Sequence, residues 1–353
     1  MYPYRVFVSY SRIDLELMKK VAAHLESLGL TIVCDANLTP GERFPEQLRK
    51  DISHAHVFLP LLTESSAQKP WVHQETGYAM GLEIPVLPIA VGAKPSEMLT
   101  DLQAVMIDEK LSELSADQVS AWLCKLTARP PECSSNLMRA GRAEVRTKHL
   151  GDLTREAYRE KTFGPLRQRG AYSSFCLPDA EPSDKIWRDR DGEVVRSSYM
   201  YELLAEERRA FQEYVAAHGA RLIIDPFQPL KLNGDCARCV RLNTLLTFLT
   251  DESVGDVQVA VRKGAPAGNL AIVGDWYSAV SVTPIPGVGY EETLFTWHAP
   301  SVLKQIRGFD LEFAALLAAN GVSPEDSRRV AAKVVKAERD ALLCPLNSPT
   351  PQP

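Results

Sequence analysis

The first 130 residues alternate short apolar runs with longer amphipathic ones, and that alternation most restricts what the chain can become. Val6-Phe7-Val8-Ser9-Tyr10, Leu30-Thr31-Ile32-Val33-Cys34, residues 56–62 and residues 85–91 read as strands. Residues 14–27 read as a helix, because Leu17, Val21, Leu25 and Leu28 fall on one stripe at helical spacing, and Gly29 stops it. Further helices are expected over 45–53, entered through Pro45, over 71–81 and over 115–126. The strands are apolar throughout and do not alternate, so both sheet faces must be covered. Strands of that kind separated by helices imply a parallel sheet between two helical layers. Such sheets place their sites at the carboxyl ends of the strands. Here those ends are Ser9-Tyr10-Ser11, the loop after Asp35, and residues 63–71.

The pattern breaks at Pro130-Pro131 and Ser134-Ser135 and restarts at Ala171. The expected organisation is a first domain over 1–132, a basic helical connector over 133–170, a second mixed α/β domain over 171–343, and a Pro-rich disordered tail over 344–353. In the second domain, helices are expected over 197–218, 240–249, 300–320 and 324–343. Strands are expected over 221–225, 257–261, 270–274 and 292–298.

Charge and composition exclude several classes. The net charge of −5 argues against wholesale nucleic-acid binding. Residues 133–170 nevertheless carry nine basic and four acidic residues, a bridge containing Arg139, Arg142, Arg146 and Lys148. It reads as a solvated helix between two acidic bodies rather than a nucleic-acid site. No run reaches the roughly 18 apolar residues of a membrane span. The N-terminus lacks the features of a signal peptide, so a cytoplasmic protein is expected. Seven scattered cysteines, an odd number, fit free thiols better than a disulfide scaffold.

Four segments in order carry a family resemblance: VFVSYSRID, CDANLTPGERF, HVFLPLLTESSAQKPW and WVHQETGYA. Together they resemble a bacterial-type TIR (Toll/interleukin-1 receptor) domain over roughly residues 4–130, which implies a flavodoxin-like parallel sheet. Some members of that family are adaptors. Others cleave NAD at the nicotinamide–ribose bond, and the resemblance places their catalytic glutamate at Glu75. It thus implies an NAD glycohydrolase or cyclase that releases nicotinamide and ADP-ribose or a cyclic isomer. NAD is then a substrate, with no cofactor and no metal. The resemblance further implies self-association through TIR domains, an assembly loop containing Pro40, Gly41, Glu42 and Arg43, and a role in anti-phage defence. An ordinary flexible loop is the other reading of residues 35–44. The alternative function is a non-catalytic TIR adaptor or virulence protein acting through TIR–TIR contacts.

The chemistry suits a single carboxylate. Nicotinamide in NAD is a cationic leaving group and needs no acid. The developing charge is an oxocarbenium-like ribose, which an ionised Glu75 could stabilise. Trp71 lies one helical turn before Glu75 and either stacks on the substrate and excludes water or anchors the helix in the core. Ser9 could bind a ribose hydroxyl. Arg12 could pair with the pyrophosphate or with Asp14. Phe44 is a further candidate for substrate contact or assembly. Phe7 reads as core, and Asp14 as a helix-terminal charge.

The second half is less explicit. Cys236-x-x-Cys239 lacks further ligands at zinc-site spacing and reads as structurally incidental. No histidine has a lysine two residues on, so a phospholipase-type nuclease is not indicated. Asp275, Trp276, Tyr277, Trp297 and His298 could line a pocket, but a core role is the stronger reading. The second domain is expected to control the first by an unknown activating ligand or protein.

Overall fold

The computed structural model describes residues 3–34, 46–66, 69–92, 99–100, 102–108, 111–128, 137–160, 162–170, 198–228, 234–264, 268–285 and 289–346. The chain divides into two compact units. The first comprises Met1–Asn136 with Trp297–Lys304; the second comprises Leu137–Thr296 with Gln305–Pro353.

In the first unit the elements are β1 (Arg5–Ser9), α1 (Leu15–Ser27), β2 (Thr31–Cys34), α2 (Glu46–Ser53), β3 (Val57–Leu62), α3 (Pro70–Gly81), β4 (Ile89–Ala90), β5 (Val105–Met106) and α4 (Ala116–Ala128). The five strands are parallel in the order β2-β1-β3-β4-β5. Successive side chains of a strand point to opposite faces, and the two cores follow that rule. Val6 and Val8 of β1 and Val57, Leu59 and Leu61 of β3 pack with Val21 and Leu25 of α1 and Val119 and Leu123 of α4. Phe7 and Phe58 point the other way and pack with Leu48 and Ile52 of α2 and Ala79 of α3. Their rings stack 5.6 Å apart at 7°. Each such ring contributes about 2 kcal/mol by burial.

The strand expected over 85–91 pairs along only two residues as β4, with an added bridge between Phe58 and Val86. Pro85 and Pro88 have no N–H to donate to the ladder. Strand β5 was not legible in the sequence: two residues are too few to show a period.

The second unit is built from β6 (Leu137–Ala140), α5 (Ala143–Arg159), β7 (Leu166–Gly170), α6 (Ser198–His218), β8 (Ala220–Ile224), α7 (Gly234–Thr250), β9 (Val257–Val261), β10 (Leu270–Val273), β11 (Tyr277–Ile285), β12 (Gly289–Thr296), α8 (Ala299–Ala319) and α9 (Pro324–Leu346). Its strands form one mixed sheet in the order β6-β12-β11-β10-β7-β8-β9. β7, β8 and β9 are parallel, and the remaining pairs are antiparallel.

Two expectations change here. Residues 133–170 do contain the expected helix, α5, but β6 and β7 on either side of it are strands of the second sheet. The basic residues that suggested a solvated bridge sit partly on those strands and pair with acids from distant sequence. Arg167, for example, is hydrogen-bonded to Asp310. Helix α9 also runs through residues 344–346, the start of the expected tail, and residues 347–353 lie outside the described residues.

Strand β11 is not among the strands expected from the sequence. Its polar positions Ser278 and Ser281 and its Pro284 obscured a nine-residue strand. Asp275, Trp276 and Tyr277 are buried in the second unit, and His298 is buried in the first. The five residues from Asp275 to His298 therefore do not line one pocket within either unit. Burial pushes the His298 imidazole down, and its Nδ1 lies 2.8 Å from the Ser301 hydroxyl. No helix among the described residues is long and apolar enough to cross a membrane.

Candidate active site

Parity along β1 places the first candidate. Ser9 follows Phe7 by two residues, so it points to the face that α2 and α3 cover. It is the last residue of β1, its neighbour in β3 is Pro60, and it is 2% exposed. Its hydroxyl makes no hydrogen bond among the described residues. A buried hydroxyl left unsatisfied costs about 1–3 kcal/mol, so it marks a place where an incoming group would be welcome.

Helix α3 supplies the second candidate on the same face. Pro70 opens it at a position where the missing N–H costs nothing. Its inward stripe is Val72, Glu75, Thr76 and Ala79. Three of these are small or apolar, and Thr76 hydrogen-bonds back to the Val72 carbonyl at 2.6 Å. Glu75 stands among them at 1% exposure. A solvating glutamate would face outward on such a helix; this one faces the sheet.

Trp71 and Tyr78 flank Glu75 at i−4 and i+3, so the three share one side of α3. Both aromatics are half-buried and pack on the cluster around Phe7 and Phe58. Trp71 therefore anchors the helix and keeps part of its indole open. Burial raises the Tyr78 phenol, partly opposed by the charge of Arg49, so it stays a hydrogen-bond donor at neutral pH. Sequence reasoning passed over Tyr78. The spacing Trp-x-x-x-Glu-x-x-Tyr carried the signal.

The strand exits are tied together. The Thr63 hydroxyl donates to the Asp14 carboxylate at 2.9 Å. The buried Ser66 hydroxyl donates to the Leu61 carbonyl at 2.9 Å, and the Thr63 N–H donates to Ser66 Oγ at 2.7 Å. This network fixes residues 61–66 at the exit of β3, and the Lys69 N–H donates to the Ser66 carbonyl at 3.0 Å just before the helix that carries Glu75. Asp14 is the N-cap residue of α1, a charge at the helix terminus as expected; it makes no side-chain cap there, and its carboxylate accepts the Thr63 hydroxyl. Arg12 is exposed on the 3-10 turn Arg12–Asp14 that follows β1. Phe44 and the loop residues Pro40, Gly41, Glu42 and Arg43 lie outside the described residues.

A small cavity in the first unit opens on the opposite face, walled by Val6, Leu25, Leu59, Ile89 and Trp122. Its apolar lining makes it a packing gap without ligand chemistry. Among the described residues, no three His, Cys, Asp or Glu side chains cluster as metal ligands.

The model of the TIR domain family matches residues 6–122, a third of the chain and the whole span from β1 into α4. Those residues are a TIR domain. Curated proteins give no match to the chain. Among solved structures, Clostridium botulinum CMP N-glycosidase BcmB is 13% identical with a TM-score of 0.23, over 35% of this chain and 99% of that one. The archaeal chromatin protein TrmBL2 is 9% identical with a TM-score of 0.27, over 56% of this chain and 60% of its own. Polyphosphate kinase from Porphyromonas gingivalis is 9% identical with a TM-score of 0.25, over 77% of this chain and 41% of its own. Likenesses this low carry no argument about function. The TIR domain places Glu75, Ser9, Trp71 and Tyr78 on one face of its sheet, where α3 covers the strand ends.

Proposed function

We propose that the TIR domain cleaves NAD at the nicotinamide–ribose bond, with Glu75 as the catalytic carboxylate. The observation that carries this reading is the burial of Glu75 on the inward stripe of α3, on the sheet face to which Ser9 also points. A buried carboxylate is costly to keep, and a helix with Ala or Leu there would pack better. A role in chemistry accounts for its retention.

Bond cleavage needs no general acid, since nicotinamide departs as a neutral molecule. Positive charge grows on the ribose, and a carboxylate held in a water-poor setting stabilises it strongly because little solvent screens the interaction. The Ser9 hydroxyl and the Tyr78 phenol supply hydrogen bonds to hold the sugar. Trp71, part of whose indole is open, stacks on a ring and limits water. Arg12, exposed beyond the end of β1, pairs with the pyrophosphate. Attack by water gives ADP-ribose, and attack by an internal nucleophile gives a cyclic isomer.

The domain acts through self-association, and the second unit controls it by binding a ligand or partner. Draining NAD would arrest an infected cell, which suits a defence role. The test is nicotinamide release by the full-length protein, followed by chromatography, beside Glu75→Ala. Release that disappears in the variant supports the reading. No release from concentrated wild-type protein, joined to cell toxicity that persists in Glu75→Ala, moves the assignment to an adaptor acting through TIR–TIR contacts.

A further inference from the structure

The second unit concentrates arginine on one sheet face. Arg167 and Arg169 lie two residues apart on β7, so they share a side, and Arg221 is the register partner of Arg167 on β8. Arg262 follows β9 two residues after Ala260, whose β8 partner Ile223 is itself the partner of Arg169. Four guanidinium groups therefore project from three adjacent parallel strands.

Two carboxylates of α8 meet them. Asp310 accepts both Arg167 Nε at 2.8 Å and Arg167 Nη2 at 3.0 Å, and Arg221 Nη1 at 3.0 Å. Glu312 accepts Arg169 Nη1 at 2.5 Å on one oxygen and Arg262 Nη1 at 2.9 Å on the other. Arg169 Nε also donates to the Gly268 carbonyl at 3.0 Å.

The charges do not balance. Four arginines share two carboxylates. Around them, Arg238 is paired with Glu338, and Lys263 lies over the Phe227 ring. Asp225 is within electrostatic reach of Arg262 and Arg238. Lys263, the next residue after Arg262, alternates to the other side, so among the described residues five arginines meet four carboxylates here. The excess sits in a half-buried place: the side chains of Arg169, Arg262 and Glu312 are 23%, 28% and 25% exposed. Unbalanced charge taken out of water is costly, and an anion relieves the cost.

Arg169 and Arg262 also hold donors in reserve. Arg262 makes one hydrogen bond among the described residues and Arg169 makes two, out of five N–H groups on each guanidinium. Glu312 lies between them with one oxygen on each, the position that a phosphate group's oxygens would take. The site lies toward the carboxyl ends of the parallel strands β7 and β9, where open α/β sheets receive ligands.

We propose that Arg169 and Arg262 form a binding site for the phosphate group of a small molecule, and that Glu312 occupies this site in the empty protein. The patch is compact, with an excess of one positive charge among the described residues, and so suits a small phosphorylated ligand better than a nucleic-acid backbone, which needs an extended basic track. The inference is independent of the activity proposed for the first unit.

The test is calorimetric titration of the full-length protein with sodium pyrophosphate in low-salt buffer, against sodium chloride at matched ionic strength. Wild type is expected to bind one equivalent. Glu312→Gln removes the competing carboxylate and should bind about tenfold tighter. Arg169→Gln and Arg262→Gln should each bind about tenfold more weakly while keeping the wild-type circular dichroism spectrum. Should an arginine variant misfold, Glu312→Gln alone decides. A purely structural network makes the opposite forecast: Glu312→Gln loses stability and gains no affinity. Binding by Glu312→Gln no tighter than by wild type, or heats equal to those of chloride, overturns the proposal. So does an oligonucleotide that binds through the four arginines and is not displaced by pyrophosphate.

Discussion

Replacing Glu75 by glutamine separates chemistry from folding more cleanly than replacing it by alanine. The side chain keeps its size, so no cavity opens, and only the charge is lost. At 1% exposure the carboxylate is removed from water in the folded protein and restored to it on unfolding. Glutamine relieves the desolvation cost of the charge while keeping a side chain that can still hydrogen-bond the groups around Glu75, for an expected net gain of about 1–3 kcal/mol. At about 2–4 °C per kcal/mol for a unit of this size, the thermal midpoint of the first unit should rise by several degrees. Nicotinamide release should meanwhile fall by about 10²–10³-fold or more, the scale of losing a transition-state charge partner. The assays are differential scanning calorimetry and chromatography of nicotinamide on the same preparation. A variant that is more stable and inactive fits a carboxylate kept for catalysis at the expense of stability. A variant destabilised by more than about 2 kcal/mol would make Glu75 a structural group, since that is the cost of breaking a buried polar network. A variant within tenfold of wild-type turnover would refute the catalytic role outright.

Ser9→Ala should leave the denaturation midpoint unchanged or slightly raised, because the buried hydroxyl makes no hydrogen bond among the described residues, while KM for NAD rises about fivefold to tenfold. A lowered midpoint with unchanged KM would contradict that reading. Gly274→Ala should destabilise the second unit by about 2–4 kcal/mol in urea denaturation. Gly274 has φ +54°, and a Cβ there would meet the Tyr214 hydroxyl at 2.3 Å and the Phe163 carbonyl at 3.1 Å. Acidification should lower the thermal midpoint below about pH 6.5. The folded-state value of His298 is depressed by burial, so its neutral form contributes stability above the unfolded pKa and loses it as pH falls. The slope should approach about 1.4 kcal/mol per pH unit and flatten in His298→Gln; an unchanged slope would show that other groups set it.

The candidate site was legible where local spacing sufficed. Trp71 and Glu75 at i and i+4 declare one helix face, and the apolar run from Val6 to Ser9 declares a buried strand with a polar end. Whether that strand end and that helix face meet depends on parity and crossover direction. Phe7 and Phe58 show the face: they turn toward α2 and α3, and Ser9 turns with them. The Thr63–Asp14 bond joins residues 49 positions apart and has no local signature.

In the second unit, the strand–helix alternation of α6, β8, α7 and β9 was readable because each element is long enough to show a period. Strands β6 and β7 were not, since β6 is four residues long and β7 carries two arginines in a five-residue strand. A strand with charged side chains has no hydrophobic alternation to detect. Strand β7 is held between β10 and β8, and Asp310 and Glu312, some 140 residues later, pair with the arginines on its face.

The sequence by itself determined the parallel α/β class of the first unit, the extents of its helices and the shared helix face of Trp71 and Glu75, because hydrophobic period and turn residues act within a few positions. Tertiary structure alone decided which polar groups share a face, which strands complete the second sheet, and how four arginines came to rest against two carboxylates. Those outcomes depend on pairings between distant segments, and their energies arise only once burial strips water from the groups involved.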